Sequence, residues 1–359
     1  MDRNAILKWL VESDPQRLEQ LWRRADETRQ RHVGDAVFLR GLVEISNHCV
    51  RQCAYCGLRG GNKSLTRYRM AADEILAAAA QAVDLGYGTV VLQSGEDYGI
   101  TADWMANVIR RIKKDTPLAV TLSFGERPDH ELAAWRQAGA DRYLLRFETS
   151  DPVLFDAIHP PLGNLPCSRM AILRRLKQHG YEVGSGVMVG IPGQSFESLA
   201  NDIALFAELD LDMIGIGPFI PHPATPLGHG AVLRPGCEQV PNSELLVYKT
   251  VALTRLVRPD ANIPATTALA TINKKDGREL GLSRGANVFM PNLTPMQYRR
   301  LYEIYPAKAC ITETGDTCNH CLSARIRSMG RHIGRGPGGR YTRSHTPEPA
   351  APLCEVCDA

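Results

Sequence analysis

The segment Val37-Phe-Leu-Arg-Gly-Leu-Val-Glu-Ile-Ser46-Asn-His-Cys49-Val-Arg-Gln-Cys53-Ala-Tyr55-Cys56 is a β-rich run that ends directly before three closely spaced cysteines. Its apolar and β-branched residues predict a strand over Val37–Ser46. Seven more runs of the same kind follow: Thr89–Ser94, Leu118–Phe124, Arg142–Phe147, Glu182–Val189, Met213–Pro218, Asn262–Thr267 and Ala286–Pro291. Amphipathic stretches at Ala72–Leu85, Ala102–Lys114, His130–Ala138, Ser168–His179, Phe196–Leu209 and Ser243–Val257 predict helices between them, with Gly86, Gly139 and Gly180 at helix ends. Strand–helix alternation implies right-handed crossovers and a parallel sheet. Eight strands fit a complete (βα)8 TIM barrel, an α/β fold, whose chemistry would sit at the C-terminal strand ends. An open doubly wound sheet is the alternative that periodicity leaves standing.

The flanks read differently. Residues 1–36 predict N-terminal helices, with Leu7, Leu10, Leu18 and Leu21 at roughly helical spacing. The barrel is expected over 37–295. Residues 296–333 form a C-terminal extension, helical at Tyr298–Tyr305 and Leu322–Gly330 and carrying Cys310, Cys318 and Cys321. From Gly334 the run Gly-Arg-Gly-Pro-Gly-Gly-Arg340 and the Pro/Ala-rich stretch after it predict a flexible tail over 334–359, ending in Cys354-Glu-Val-Cys357. That glycine run is no phosphate loop, because no strand precedes it and no helix follows.

Composition narrows the class. The 359 residues carry 42 basic and 39 acidic side chains, a net charge of +3, so bulk charge gives no reason to expect nucleic acid or a membrane surface as partner. Charged residues at 23% and hydrophobic ones at 44% exclude wholesale disorder. There is no run of about 18 apolar residues, and Met1–Leu10 does not read as a signal peptide, so a cytoplasmic location is expected. In a reducing compartment, clusters among the ten cysteines point to metal or redox chemistry rather than disulfides. Cys167 and Cys237 stand alone and read as ordinary thiols.

Three thiolates spaced as Cys49-x3-Cys53-x2-Cys56 can occupy three corners of a cubane 4Fe–4S cluster, leaving one iron open for substrate chemistry. Zinc is the structural alternative, but it would want a fourth ligand, and the adjacent His48 is poorly placed to supply one. Other strand ends carry polar residues: Gln93-Ser94-Gly95-Glu96-Asp97, Thr121-Leu-Ser123, Arg146-Phe147-Glu148 and Met188-Val-Gly-Ile-Pro-Gly-Gln194. Arg146 and Glu148, two apart on a strand, face the same side and need partners if buried. A mutual ion pair is one solution and a zwitterionic ligand another. His222, set between prolines, reads more readily as an ordered histidine than as a ligand.

The cysteine loop, with Tyr55 before its last cysteine, resembles the radical S-adenosylmethionine (SAM) superfamily. The resemblance implies that SAM chelates the open iron and that the reduced cluster cleaves it to a 5′-deoxyadenosyl radical. It also implies that Tyr55 lies near the adenine, that Ser94 and Glu96 belong to the motif holding the methionine amino group, and that the Met188 loop packs on the adenine. The segments Tyr55–Arg59, Arg67–Met70, Val91–Asp97, Asp141–Arg146, Gly215–Pro223, Ile263–Thr267 and Gly285–Asn292 are together similar to the HydE family of FeFe-hydrogenase maturases, over about residues 37–330. That similarity implies SAM contacts from Gln93, Thr121, Ser123, Arg146, Glu148 and Arg169. Thr266, Thr267, Met290, Tyr298 and Tyr302 would line the substrate cavity. The implied substrate is a small sulfur-containing organometallic unit, an iron-bound cysteine, and the implied partners are the maturases HydG and HydF.

Phe147 departs from the histidine frequent in that family, but it alternates away from Arg146 and Glu148. Cys310-x7-Cys318-x2-Cys321 resembles the accessory iron–sulfur site of some members, with zinc nearly as credible from the residues alone. The terminal Cys354 and Cys357 either fold back to that group or stay a free dithiol. Two other readings compete: a related enzyme such as methylornithine synthase or biotin synthase, and a non-catalytic cluster carrier, which would need no SAM pocket.

Overall fold

The computed structural model describes residues 1–163, 168–231, 233, 238–309 and 315–340, with 315–320 at backbone level. Helices α1 (Arg3–Val11) and α2 (Pro15–Val33) precede the long strand β1 (Ala36–Ser46). Then come α3 (Ala72–Asp84), β2 (Thr89–Ser94), α4 (Ala102–Asp115), β3 (Ala119–Ser123), α5 (Asp129–Gln137), β4 (Arg142–Leu144), α6 (Pro152–Ile158) and α7 (Arg169–Gln178). The chain continues through β5 (Glu182–Val189), α8 (Phe196–Glu208), β6 (Met213–Pro218), α9 (Glu244–Val257), α10 (Thr267–Ile272), α11 (Gly277–Leu282) and β7 (Val288–Phe289). It closes with α12 (Met296–Arg299), α13 (Gly315–Ser328) and β8 (His332–Ile333).

Local chemistry explains the boundaries. Asp14 accepts from Arg17 N at 2.8 Å and Pro15 opens α2, a pairing that satisfies one end donor and presets the first φ. Gly86 and Gly180, past α3 and α7, take φ of 76° and 81°, which an L side chain resists. The outer faces of the strands bury Val37, Leu39, Val43 and Ile45 of β1 against the helices, and Leu10, Leu18 and Leu21 join the same core. Burial of each such side chain contributes roughly 1.5–3 kcal/mol.

All strand pairs are parallel, in the order β6-β5-β4-β3-β2-β1-β7, with β8 added beside the start of β1. This is a parallel α/β fold of the TIM-barrel type. It departs from the complete eight-stranded barrel expected, because residues 262–265 make only isolated bridges: Met213↔Asn262 and Ile216↔Ala265 on one side, Pro264↔Val288 on the other. Pro264 has no N–H to donate, which interrupts the ladder where the expected strand should lie. Helices α6, α10 and α11 are short and were not anticipated. The helix expected over Tyr298–Tyr305 shrinks to α12, because the chain beyond it is spent on the cysteine loop: Leu301 O accepts from Asn47 Nδ2 at 2.8 Å and Ile304 O from Gly57 N at 3.0 Å.

A further correction concerns residues 334–340, expected as the start of a flexible tail. They cross the N-terminal end of the barrel as a strap. Gly334 N donates to Val37 O at 2.9 Å, Pro337 O accepts from Thr89 Oγ1 at 2.8 Å, and Gly338 O accepts from the buried Arg40 Nη2 at 2.8 Å. Glycine is needed for this approach, since a Cβ on Gly338 would stand 2.5 Å from the Phe38 ring. Arg340 then anchors the strap on Asp212 at 3.0 Å and Asp260 at 2.7 Å. Residues 341–359, with Cys354 and Cys357, lie outside the described residues, as do Cys167 and Cys237. No helix among the described residues is long and apolar enough to cross a membrane.

Candidate active site

The C-terminal ends of the strands surround a cavity of about 240 Å³. The cysteine loop forms part of its wall. Asn47 fixes the start of that loop, donating to Thr66 O at 2.8 Å and accepting from Tyr68 N at 2.7 Å. Val50 N donates to Glu96 O at 3.0 Å and Ala54 N to Ile158 O at 2.8 Å. The loop is thus bound to β2 on one side and α6 on the other before any ligand arrives.

Of the expected residues, Cys49, Tyr55 and Cys56 line the cavity, together with Gln93, Ser94 and Ser123 from the ends of β2 and β3. Arg146, Glu148, Arg169, Met188 and Tyr302 complete it. Cys53 is buried just behind, its Sγ 3.0 Å from His159 Nδ1. Burial raises all three thiol pKa values, Cys56 to about 12, so the metal-free loop holds neutral thiols. A cationic group that bound them would draw off their protons. Among the described residues no three His, Cys, Asp or Glu side chains converge as ligands of a single ion.

Arg146 and Glu148 form an ion pair at 3.1 Å, so the mutual pairing foreseen from their spacing does occur. It leaves capacity over. Arg146 Nε and Glu148 Oε2 have no aligned hydrogen-bond partner although buried, and both side chains border the cavity. Such atoms are costly unless a ligand completes them. Glu148 also sits at φ 64°, and Thr149 N donates to Phe147 O at 2.8 Å across it, a γ-turn of the rare strained kind. Left-handed backbone at a non-glycine residue costs roughly 1–2 kcal/mol and marks functional positions. Phe147 points the other way, fully buried against Phe206 at 5.8 Å, which fits its expected indifference to the ligand.

Other expected residues lie elsewhere. Glu96 is turned from the cavity into a buried network, accepting from Arg51 Nε at 2.7 Å and Glu126 N at 3.0 Å. The Arg51 charge holds it there; Ser94 and Gly95 line the cavity in its place. Thr121 is buried below the lining with its Oγ1 unpartnered. Thr266 donates to Ile216 O at 3.1 Å and caps α10, which Thr267 begins, and neither borders the cavity. Met290 is half-buried outside the lining. Tyr298 is a plain correction: it stacks on Tyr68 at 4.5 Å and donates to Glu74 Oε1 at 3.0 Å, because α12 turns it toward α3. Cys310 lies outside the described residues, Cys318 falls on α13 where only backbone is described, and Cys321 is an exposed free thiol. His222 is ordered as expected, accepting from Ala224 N at 3.0 Å.

Three residues have roles that the sequence did not assign, Glu126 among them although it ends the motif that closes the third strand. Glu126 accepts from Arg51 Nη2 at 2.5 Å, Arg169 Nε at 2.9 Å and faces His159 Nε2 at 3.0 Å. Burial lowers the His159 pKa to about 4, so its ring is neutral. A neutral ring facing a carboxylate carries its hydrogen on Nε2 and turns the Nδ1 lone pair to Cys53. Arg51 could have been suspected, since a cation inside a cysteine loop needs a counter-ion. Nothing near His159 in the sequence betrays its role.

Residues 43–217 match the family model of the Radical SAM superfamily. The chain is 48% identical over 322 residues to the FeFe-hydrogenase maturase subunit HydE of Thermotoga maritima, covering 90% of this chain and 89% of that one. It is 29% identical to 3-methylornithine synthase of Methanosarcina acetivorans, over 80% of this chain and 77% of that one. The crystal structure of a methylornithine synthase superposes with a TM-score of 0.77 at 24% identity, covering 93% of this chain and 94% of that chain, and so shares the fold. Three thiols at the end of the first strand, a strained acidic residue across the cavity and near-half identity over nine-tenths of both chains agree: the chain belongs to the HydE family of the radical SAM superfamily.

Proposed function

We propose that this chain is a radical SAM enzyme of FeFe-hydrogenase maturation whose SAM pocket is the cavity joining Cys49 and Cys56 to Arg146, Glu148 and Arg169. That convergence of thiols with one acidic and two basic side chains is the observation that carries the reading. Cys49, Cys53 and Cys56 would hold a 4Fe–4S cluster. When bound and reduced, the cluster supplies the electron that cleaves SAM to methionine and a 5′-deoxyadenosyl radical.

The protein's own part is binding and exclusion. The Arg146 guanidinium offers Nε to a carboxylate, and Glu148 Oε2 is open to ribose hydroxyls, both charge-assisted contacts. The backbone at Ser94 and Gly95, with Gln93 and Ser123, takes the polar end of the methionine moiety. Tyr55 and Met188 pack on the adenine. Burial holds the Tyr302 phenol protonated, so it donates rather than carries charge. Exclusion of water from such a site would keep a radical from being quenched by solvent. A sulfur-containing, iron-bound cysteine is proposed as substrate. HydG and HydF are proposed as the proteins before and after it, an accessory cluster at Cys310, Cys318 and Cys321, and the cytoplasm as its place. The identity of 48% to HydE against 29% to methylornithine synthase favours this reading over that relative's.

A maturation assay tests it. Co-production with HydG, HydF and apo-hydrogenase is expected to yield active hydrogenase, and omission of this chain to yield none. Inactive hydrogenase together with formation of 3-methylornithine would overturn the proposal.

A further inference from the structure

Directly after the γ-turn at Glu148, the chain is tied to α8 by buried side chains, Asp202 foremost. Asp202 Oδ1 accepts from Ser150 N at 2.5 Å and from Ser150 Oγ at 2.6 Å. Asp202 is 0% exposed, and among the described residues it makes no ion pair. Burial pushes its carboxyl up to about 7. An acidic side chain in so unfavourable a place costs stability that an apolar residue filling the same space would not.

What it holds is the exit from the strained turn. On the entry side, Glu148 N donates to Gly186 O at 3.0 Å and Met188 N to Glu148 O at 3.2 Å, fixing Glu148 to β5. On the exit side the next two residues have few options: Thr149 Oγ1 reaches Ser198 Oγ at 3.3 Å, a long contact, and Ser150 reaches Asp202. Without the two bonds to Asp202, a residue at φ 64° has a downhill route back to ordinary backbone, and its carboxylate leaves the cavity. Asp151, one residue on, caps α6 by accepting from Leu154 N at 3.0 Å, so the anchor also sets where that helix starts.

We infer that Asp202 is a positioning residue: by accepting both Ser150 hydrogens it locks the γ-turn that presents the Glu148 carboxylate to the SAM pocket. This rests on reading the cavity as that pocket, and the experiment separates the two claims. SAM affinity is measured by equilibrium binding to the anaerobically reconstituted protein, with thermal stability followed in parallel. Asp202→Ala is expected to weaken SAM at least tenfold. Asp202→Asn keeps a carbonyl oxygen for Ser150 and is expected to retain affinity within about threefold, even where its buried amide lowers stability. Ser150→Ala, which keeps the backbone N–H, is expected to fall between them. Ile203→Ala, on the same helix, is expected to lower stability without changing affinity. Unchanged affinity in Asp202→Ala, or equal loss in Asp202→Asn and Ile203→Ala, would overturn the positioning role. Unchanged affinity in Glu148→Gln would instead sink the assignment of the pocket.

Discussion

Replacement of Glu126 by alanine is expected to lower the stability of the metal-free protein by about 3–5 kcal/mol, the usual cost of breaking a buried charge network by removing one member. Glu126 is buried and bonds Arg51 at 2.5 Å and Arg169 at 2.9 Å. Its loss takes one carboxylate from the buried Arg51, which also pairs with Glu96 at 2.7 Å, and takes from the buried Arg169 the carboxylate it bonds. The damage should spread to the cysteine loop, because Arg51 lies inside it and His159 bridges Glu126 to Cys53. Glu126→Gln keeps acceptors of the same shape and should cost less. Denaturant unfolding of the apo-protein is the right measurement, since a bound cluster or SAM would add its own stabilisation. A loss below 1 kcal/mol in Glu126→Ala would show that the network is incidental.

Glu148→Gln is expected to weaken SAM binding roughly 10- to 100-fold, the worth of one charge-assisted hydrogen bond of about 1.5–3 kcal/mol. The amide preserves the shape of the side chain and meets the same backbone strain at φ 64°. It removes only the charge that faces Arg146 at 3.1 Å. The loss should therefore appear in affinity and not in folding, and a titration of the reconstituted protein separates the two. A change of less than threefold would mean that the Arg146–Glu148 pair merely closes the barrel mouth.

How much of this could be read from the chain depends on the range of the interactions. Strands and helices with strong periodicity, such as Val37–Ser46 and Ala72–Leu85, came out within a residue or two of β1 and α3, because their pattern is local. Gln93, Ser94, Ser123, Arg146, Glu148 and Met188 were legible because strand ends are where such a fold gathers polar groups, whereas Tyr55 and Arg169 were assigned on the resemblance. Failures came where distant segments decide. Glycine-rich composition at 334–340 reads as flexibility, yet there it permits a tight strap across Thr89, Phe38 and Arg40. Glu96 was expected to face the ligand, but Arg51, forty-five positions earlier, claims its carboxylate. Tyr298 was assigned to the cavity on similarity alone, and the partner that turns it away, Glu74, is on α3. The positive φ of Glu148 and the anchor at Asp202 have no sequence signature, since both arise from packing between β4, β5 and α8.

The most direct test of the central claim is SAM cleavage by the anaerobically reconstituted, reduced protein, with the Cys53→Ala variant beside it. Formation of 5′-deoxyadenosine and methionine by the parent, and of neither by the variant, is the predicted result. A cluster-loaded parent that forms no 5′-deoxyadenosine, or a Cys53→Ala variant that forms it at the parent's rate, would contradict the account.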